Sequence, residues 1–137
     1  MRGLVVSARL ESLAPVLAFL AGDLPEEFAA LTPKVELILE EFLVNVANHA
    51  YQGEAGPLEV RIREVLFDGW PHLAIRVADW GPPFDPFAGD KEPDLTLGIE
   101  DRPIGGLGLH LVRNIAAHHS YCREFGSNIV EVWVRRP

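Results

Sequence analysis

Three stretches of the chain carry residues whose types and spacing suit chemistry. The first is EFLVNVANHAY (41–51), which sets a glutamate, two asparagines and a histidine inside an apolar run from Val35 to Ala50. At about 100° per residue of a helix, Val35, Leu39, Phe42, Leu43, Val46 and Ala50 form one broad apolar face. Glu41, Asn45, Asn48 and Gln52 fall within about 60° of one another, roughly opposite that face. Ile38 borders this stripe on one side, Leu37 and Val44 on the other, and Glu36 and Glu40 take the sector suited to solvent. Polar groups walled by apolar ones are what a pocket needs. Taken alone, a solvated face with chance hydrophobics beside it accounts for the stripe equally well.

The second stretch is HLAIRVADWGPPFDP (72–86). Leu73, Ile75 and Val77 share one face of a strand, and Asp79 comes next on that face by the period of two. A carboxylate aimed at the core needs a donor, although a strand-end turn could supply one locally. The third stretch is GGLGLHLVRN (105–114), glycines that lead directly into a helix. Exposed N–H groups at the positive end of a helix dipole form a natural anion site. The dinucleotide-binding pattern is not met, because Gly106-x-Gly108 lacks a third glycine at position 111 and no strand–helix–strand unit surrounds it.

The elements that must position these residues are legible in outline. Leu4 to Leu10 suits a strand, and Ser12 suits the cap of a helix that ends at Gly22-Asp23. Thr32-Pro33 marks a helix start, a hydroxyl cap followed by proline where no donor is lost, and that helix runs to about Tyr51. Residues 58–67 and 72–79 alternate apolar and polar across Asp68-Gly69, a hairpin signature. Residues 81–105 hold five prolines among glycines and acids and read as a long functional loop. A helix opened by Gly105 to Gly108 runs to about His118, then strands near 119–125 and 129–135 meet at a turn at Gly126-Ser127. Strands that cluster as hairpins favour an α+β fold: a two-layer sandwich with helices on one face of a mainly antiparallel, mixed sheet.

Composition narrows the classes. With 137 residues and 48% apolar content, a single domain over 1–137 with a true core is expected, not a disordered chain. A formal charge of −8, two lysines (Lys34, Lys91) and scattered arginines argue against nucleic acid. The lone Cys122 fits a reducing cytoplasm, and no apolar run reaches membrane-spanning length. His118-His119 is an adjacent pair facing different ways, which makes a metal site there improbable.

The order and spacing of the three stretches join them. Glu41-x-x-x-Asn45, then Asp79-x-Gly81-x-x-Phe84-Asp85-Pro86, then Gly105-Gly106-Leu107-Gly108-Leu109 resembles the N, G1 and G2 boxes of the GHKL ATPases. The branch resembled is that of the anti-sigma-factor serine kinases, whose N box runs on as N-x-x-x-H-x-Y, here Asn45, His49 and Tyr51. Nearly the whole chain is covered. Pro82-Pro83 stands where histidine kinases carry a second glycine, a variant similar to that of the anti-sigma branch.

The resemblance implies a Bergerat-type ATP-binding fold and specific roles. Glu41 would be the general base and Asn45 the Mg2+ ligand; Asp79 would accept from the adenine amine, with Gly81 letting the backbone approach the base. Asn48, His49, Phe84 and Asn114 would line or support the pocket. Gly105, Gly106, Leu107, Gly108 and Leu109 would meet the phosphates under a lid formed by 86–105. The acidic lid offers only Lys91 and Arg102 to phosphate. Function would then be that of an ATP-dependent protein-serine kinase, acting on a STAS-domain antagonist or sequestering a sigma factor, and homodimeric. A non-catalytic nucleotide-sensing partner module is the alternative. The ATP-binding half of a two-component histidine kinase ranks last, as 137 residues leave no room for a separate phosphoaccepting helical pair.

Overall fold

Alternation in the sequence becomes a five-stranded sheet covered on one face by helices. The computed structural model describes residues 3–51, 54–88 and 106–137, and of 106–108 the backbone alone. In chain order the elements are β1 (Gly3–Ser7), α1 (Leu13–Asp23), α2 (Thr32–His49), β2 (Pro57–Phe67), β3 (Trp70–Asp79), α3 (Gly106–Ile115), β4 (His118–Glu124) and β5 (Ser127–Arg135). Short 3-10 helices at Leu10–Ser12 and Glu26–Leu31 precede α1 and α2. Strand order is β1-β2-β3-β5-β4, and every described pairing is antiparallel, so the sheet is not mixed.

Turn chemistry sets the two hairpins. Asp68 and Gly69 have φ of 55° and 73°, the two-residue turn whose twist matches that of its strands. The second turn falls on Phe125-Gly126 (φ 51° and 78°), one residue earlier than expected. Gly126 takes the second left-handed position, which frees Ser127 to pair with Glu124.

Helix ends also depart from expectation. Thr32 does not cap α2: its hydroxyl donates backwards to the Ala29 carbonyl (2.8 Å), and Leu31 holds the cap position. Ser12 likewise makes no side-chain cap for α1. Helix α3 stops at Ile115 rather than near His118, because His118 already pairs with Trp133 as the first residue of β4.

The core lies between the helices and the inner face of the sheet. Val35, Ile38, Leu39, Phe42, Leu43 and Val46 of α2 are buried against Leu58, Val60 and Ile62 of β2, Leu73, Ile75 and Val77 of β3, and Val130, Val132 and Val134 of β5. Each fully buried large side chain contributes about 1.5–3 kcal/mol relative to exposure. The outer face has its own cover. Phe67 sits 5.1 Å from Trp133 and 5.3 Å from His72, with His118 4.5 Å from Trp133, over the small residue Ala74. No helix among the described residues is long and apolar enough to cross a membrane.

Candidate functional site

Register brings the polar residues of three strands into one row. Leu58, Asp79, Asn128 and Arg123 are neighbours across β2, β3, β5 and β4 on the helix-facing side, at the end of the sheet near the last turn of α2. Asp79 is 8% exposed and points inward, as the period of two required. Its donors are now visible. Oδ1 accepts the Gly81 N–H (2.9 Å) and an amide hydrogen from Nδ2 of Asn128 (2.9 Å). Both explanations for Asp79 therefore hold together, since it closes the strand-end turn and still turns into the core.

Asn128 was not singled out by its sequence context, yet it has more polar contacts than any other described residue here. Its Nδ2 also donates to the Pro82 carbonyl (2.8 Å), and its Oδ1 accepts from the Tyr121 hydroxyl (2.6 Å), the Phe84 N–H (3.1 Å) and Nη1 of Arg123 (3.1 Å). The same Arg123 nitrogen donates to the Gly81 carbonyl (2.7 Å). A signal was available. By the rule that exposed Asp79, Asn128 shares the inward face of β5 with Val130, Val132 and Val134.

Helix α2 supplies the opposite wall. Asn45 lines a small cavity of about 10 Å3 with Asp79, over an apolar floor of Phe42, Val46, Val77 and Val130, beside Phe84 and Pro86. The polar stripe is closer to the core than the helical wheel suggested. Ile38 is fully buried, so Asn45 and Glu41, both half-buried, sit at the margin of the buried face rather than opposite it. Glu41 lies one turn before Asn45. Burial, and secondarily the charge of Glu40, raises its carboxyl above the ordinary 4.5.

The remaining predicted residues divide. His49 is exposed but stacks on Phe84, with ring centroids 4.7 Å apart and planes 13° from parallel. Asn48 is exposed at the end of α2. Asn114 is exposed and its Nδ2 lies 3.1 Å from Nε2 of His110, a bond on the surface of α3 rather than in the cavity. Leu109 packs half-buried against the core. Gly106, Leu107 and Gly108 open α3 as expected, with only their backbone described, while Gly105 and the lid residues 89–105 lie outside the described residues.

Gly81 has a second reason to be glycine. A Cβ there would fall on the carbonyl of Ala50, so the strand exit packs directly on the end of α2. Tyr51 ties the same junction: its hydroxyl donates to the Pro57 carbonyl (2.6 Å) and accepts the Trp80 N–H (2.9 Å). Asp85 caps the Phe87 N–H (2.9 Å), and Phe87 anchors in the core against Phe42, with centroids 6.4 Å apart.

The donor set suits a nucleotide with its metal. Among the described residues no three His, Cys, Asp or Glu side chains cluster as a metal cage. One amide oxygen, from Asn45, fits Mg2+, which keeps waters and takes phosphate oxygens instead of needing a protein cage. An apolar floor with one buried carboxylate matches the chemistry of a base that carries an amine, and the walls must part to admit one, since about 10 Å3 holds no more than a single water.

A family model described as histidine kinase-like ATPase domain matches residues 6–134. The serine/threonine-protein kinase BtrW of Bordetella bronchiseptica (strain ATCC BAA-588 / NCTC 13252 / RB50) is 29% identical over 101 residues, 73% of this chain and 68% of that protein. The histidine kinase AdeS of Acinetobacter baumannii superposes with a TM-score of 0.47 at 13% identity, covering 99% of this chain and 69% of that one. With all but its first five and last three residues matched by that family model, and with the carboxylate, amide and glycine-led helix in place, the chain belongs to the histidine kinase-like ATPase domain family.

Proposed function

We propose that the chain is an ATP-dependent protein-serine kinase of the cytoplasm, working in a partner-switching pathway. Its substrate would be a serine on a STAS-domain antagonist, and the same domain, as a homodimer, would sequester a sigma factor. The observation that carries catalysis is Glu41. A half-buried carboxylate whose affinity for a proton is raised, one turn from the metal-ligand candidate Asn45, is a costly feature in a module that only binds. The likeness to a relative named a serine/threonine-protein kinase supports protein as the acceptor.

In this reading Glu41 takes the proton of the serine hydroxyl as its oxygen attacks the γ-phosphorus. The bond between that phosphorus and the β–γ bridging oxygen breaks, and ADP leaves. Asn45 would hold Mg2+ through its amide oxygen, and the ion would supply neutralisation of charge on the phosphate oxygens. Asp79 orients the base through its remaining acceptor, and the N–H groups opening α3 receive phosphate.

The test uses radiolabelled ATP and a cognate STAS protein. Glu41→Gln is expected to lower phosphoryl transfer by about 10²–10⁴, with nucleotide affinity nearly unchanged. Loss of binding together with activity removes Glu41 as the base. Tight partner binding with no transfer by the parent protein would establish the non-catalytic module instead.

A further inference from the structure

We propose that Asn128 is a positioning residue that fixes which oxygen of Asp79 faces the base, and so sets the preference for an amino-bearing purine over a carbonyl-bearing one. This rests on the nucleotide reading of the site. The side-chain amide has only one workable orientation. Every atom near Nδ2 is an acceptor: Asp79 Oδ1, the Pro82 carbonyl and, at 3.5 Å, the Gly81 carbonyl. Every group near Oδ1 is a donor: the Tyr121 hydroxyl, the Phe84 N–H and the Arg123 guanidinium. Flipping the amide would set oxygen against three oxygens and NH2 against the Phe84 N–H and the Arg123 guanidinium, neither of which can accept. At 1% exposure, water cannot compensate for that reversal.

The consequence for Asp79 is asymmetry. Oδ1 is committed to two donors, while Oδ2 forms no hydrogen bond with a described residue. Asp79 lines the cavity beside Asn45, so the free oxygen is the acceptor left for a ligand. The terminal torsion of an aspartate is broad by itself. One donor, the Gly81 N–H, would leave the carboxylate free to tilt; the second donor, from the next strand, pins its plane. A pinned acceptor with no donor beside it among the described residues accepts the 6-amino group of adenine and repels the 6-carbonyl of hypoxanthine. The same amide holds the Pro82 carbonyl and the Phe84 N–H, so base reader and flanking turn are set by one side chain.

A purely structural Asn128 would weaken both nucleotides alike. The readout is therefore the ratio of ITP to ATP dissociation constants, measured by calorimetry with Mg2+. The parent is expected to favour ATP. Asn128→Ala is expected to reduce that preference by at least about tenfold, near the worth of one hydrogen bond to a charged group. Tyr121→Phe removes a bond to Oδ1 but none to Asp79, and its ratio is expected to match the parent's. Should the alanine variant melt below assay temperature, Asn128→Ser, too short to bridge Asp79 and Pro82, carries the same measurement. A full ATP preference in the Asn128 variant, equal loss for both nucleotides, or the same collapse in Tyr121→Phe overturns the proposal. Failure of the parent to bind either nucleotide sinks the nucleotide reading itself. Equal binding of both by the parent sinks only the role given to Asp79 and Asn128.

Discussion

Glu41 and Asp79 are both carboxylates drawn away from water, and their neighbours make them different reagents. Asp79 has two donors on one oxygen. Glu41 has no described cation or donor, only partial burial and the charge of Glu40, and both raise its proton affinity. Because its value in the folded state lies above that in the unfolded chain, the sign of the linkage is fixed. Well below the ordinary 4.5 both states are protonated and Glu41 has no effect on stability. As pH rises through the raised value, the native state ionises less readily than the unfolded one and loses stability. Glu41→Gln is accordingly expected to melt higher than the parent at pH 8, with the gap closing toward pH 4. Thermal melts across that range check it, and a variant less stable than the parent at pH 8 removes the burial argument. Activity should show the same group as an acid limb in kcat/KM above the usual carboxylate range. At this scale Asp79 was legible because alternation alone turned it inward. Asn128 obeyed the same rule, but an asparagine two residues after a turn glycine also reads as ordinary turn chemistry.

At the scale of elements, the site is held by a junction among the end of α2, the start of β2 and the exit of β3. Tyr51 spans it with one hydroxyl, and Gly56 and Gly81 leave room where a Cβ would strike the Tyr51 ring or the Ala50 carbonyl. Tyr51→Phe keeps the ring and leaves the Pro57 carbonyl and the Trp80 N–H without that partner. The expected loss is about 1–3 kcal/mol in urea unfolding, with an unchanged slope. An unaltered midpoint would mean that water replaces the hydroxyl at no cost. Gly81→Ala is expected to cost more and to weaken nucleotide binding, since backbone rather than a pliable side chain must yield. Helices and hairpins were legible here because periodicity and turn residues act locally. Their ends were less so. Thr32 and Ser12 had the right chemistry for caps, but the 3-10 turns that lead into both helices give them helical geometry, and the hydroxyls lose the capping role.

Across the whole molecule, the pairing of β3 with β5 makes the site, and it is the feature least accessible to local reading. Each hairpin register follows from its own turn, but Asp79 meets Asn128 only because strands 49 residues apart in sequence lie side by side. The sheet then separates two jobs. Its inner face carries the Asp79–Asn128–Arg123 row at one end, and its outer face carries the Phe67–His118–Trp133 cluster toward the other. Asn128 and Trp133 are five residues apart on β5, about 17 Å along the strand, on opposite faces. Sites so far apart with no shared partner behave independently. Trp133 touches Phe67 and His118 and donates its indole N–H to Glu131 (2.7 Å) while remaining half-buried. Trp133→Ala is therefore expected to lose about 2–3 kcal/mol in urea unfolding, below the 3–5 of a fully buried tryptophan. Its ATP dissociation constant should stay within about twofold of the parent's, because none of the contacts removed reaches the row. Asn128→Ala should do the reverse in kind, changing nucleotide choice as well as stability. If Trp133→Ala instead changed ATP affinity tenfold while the fold remained intact, the two faces of the sheet would be coupled. The outer aromatic cluster would then be part of how the site is set.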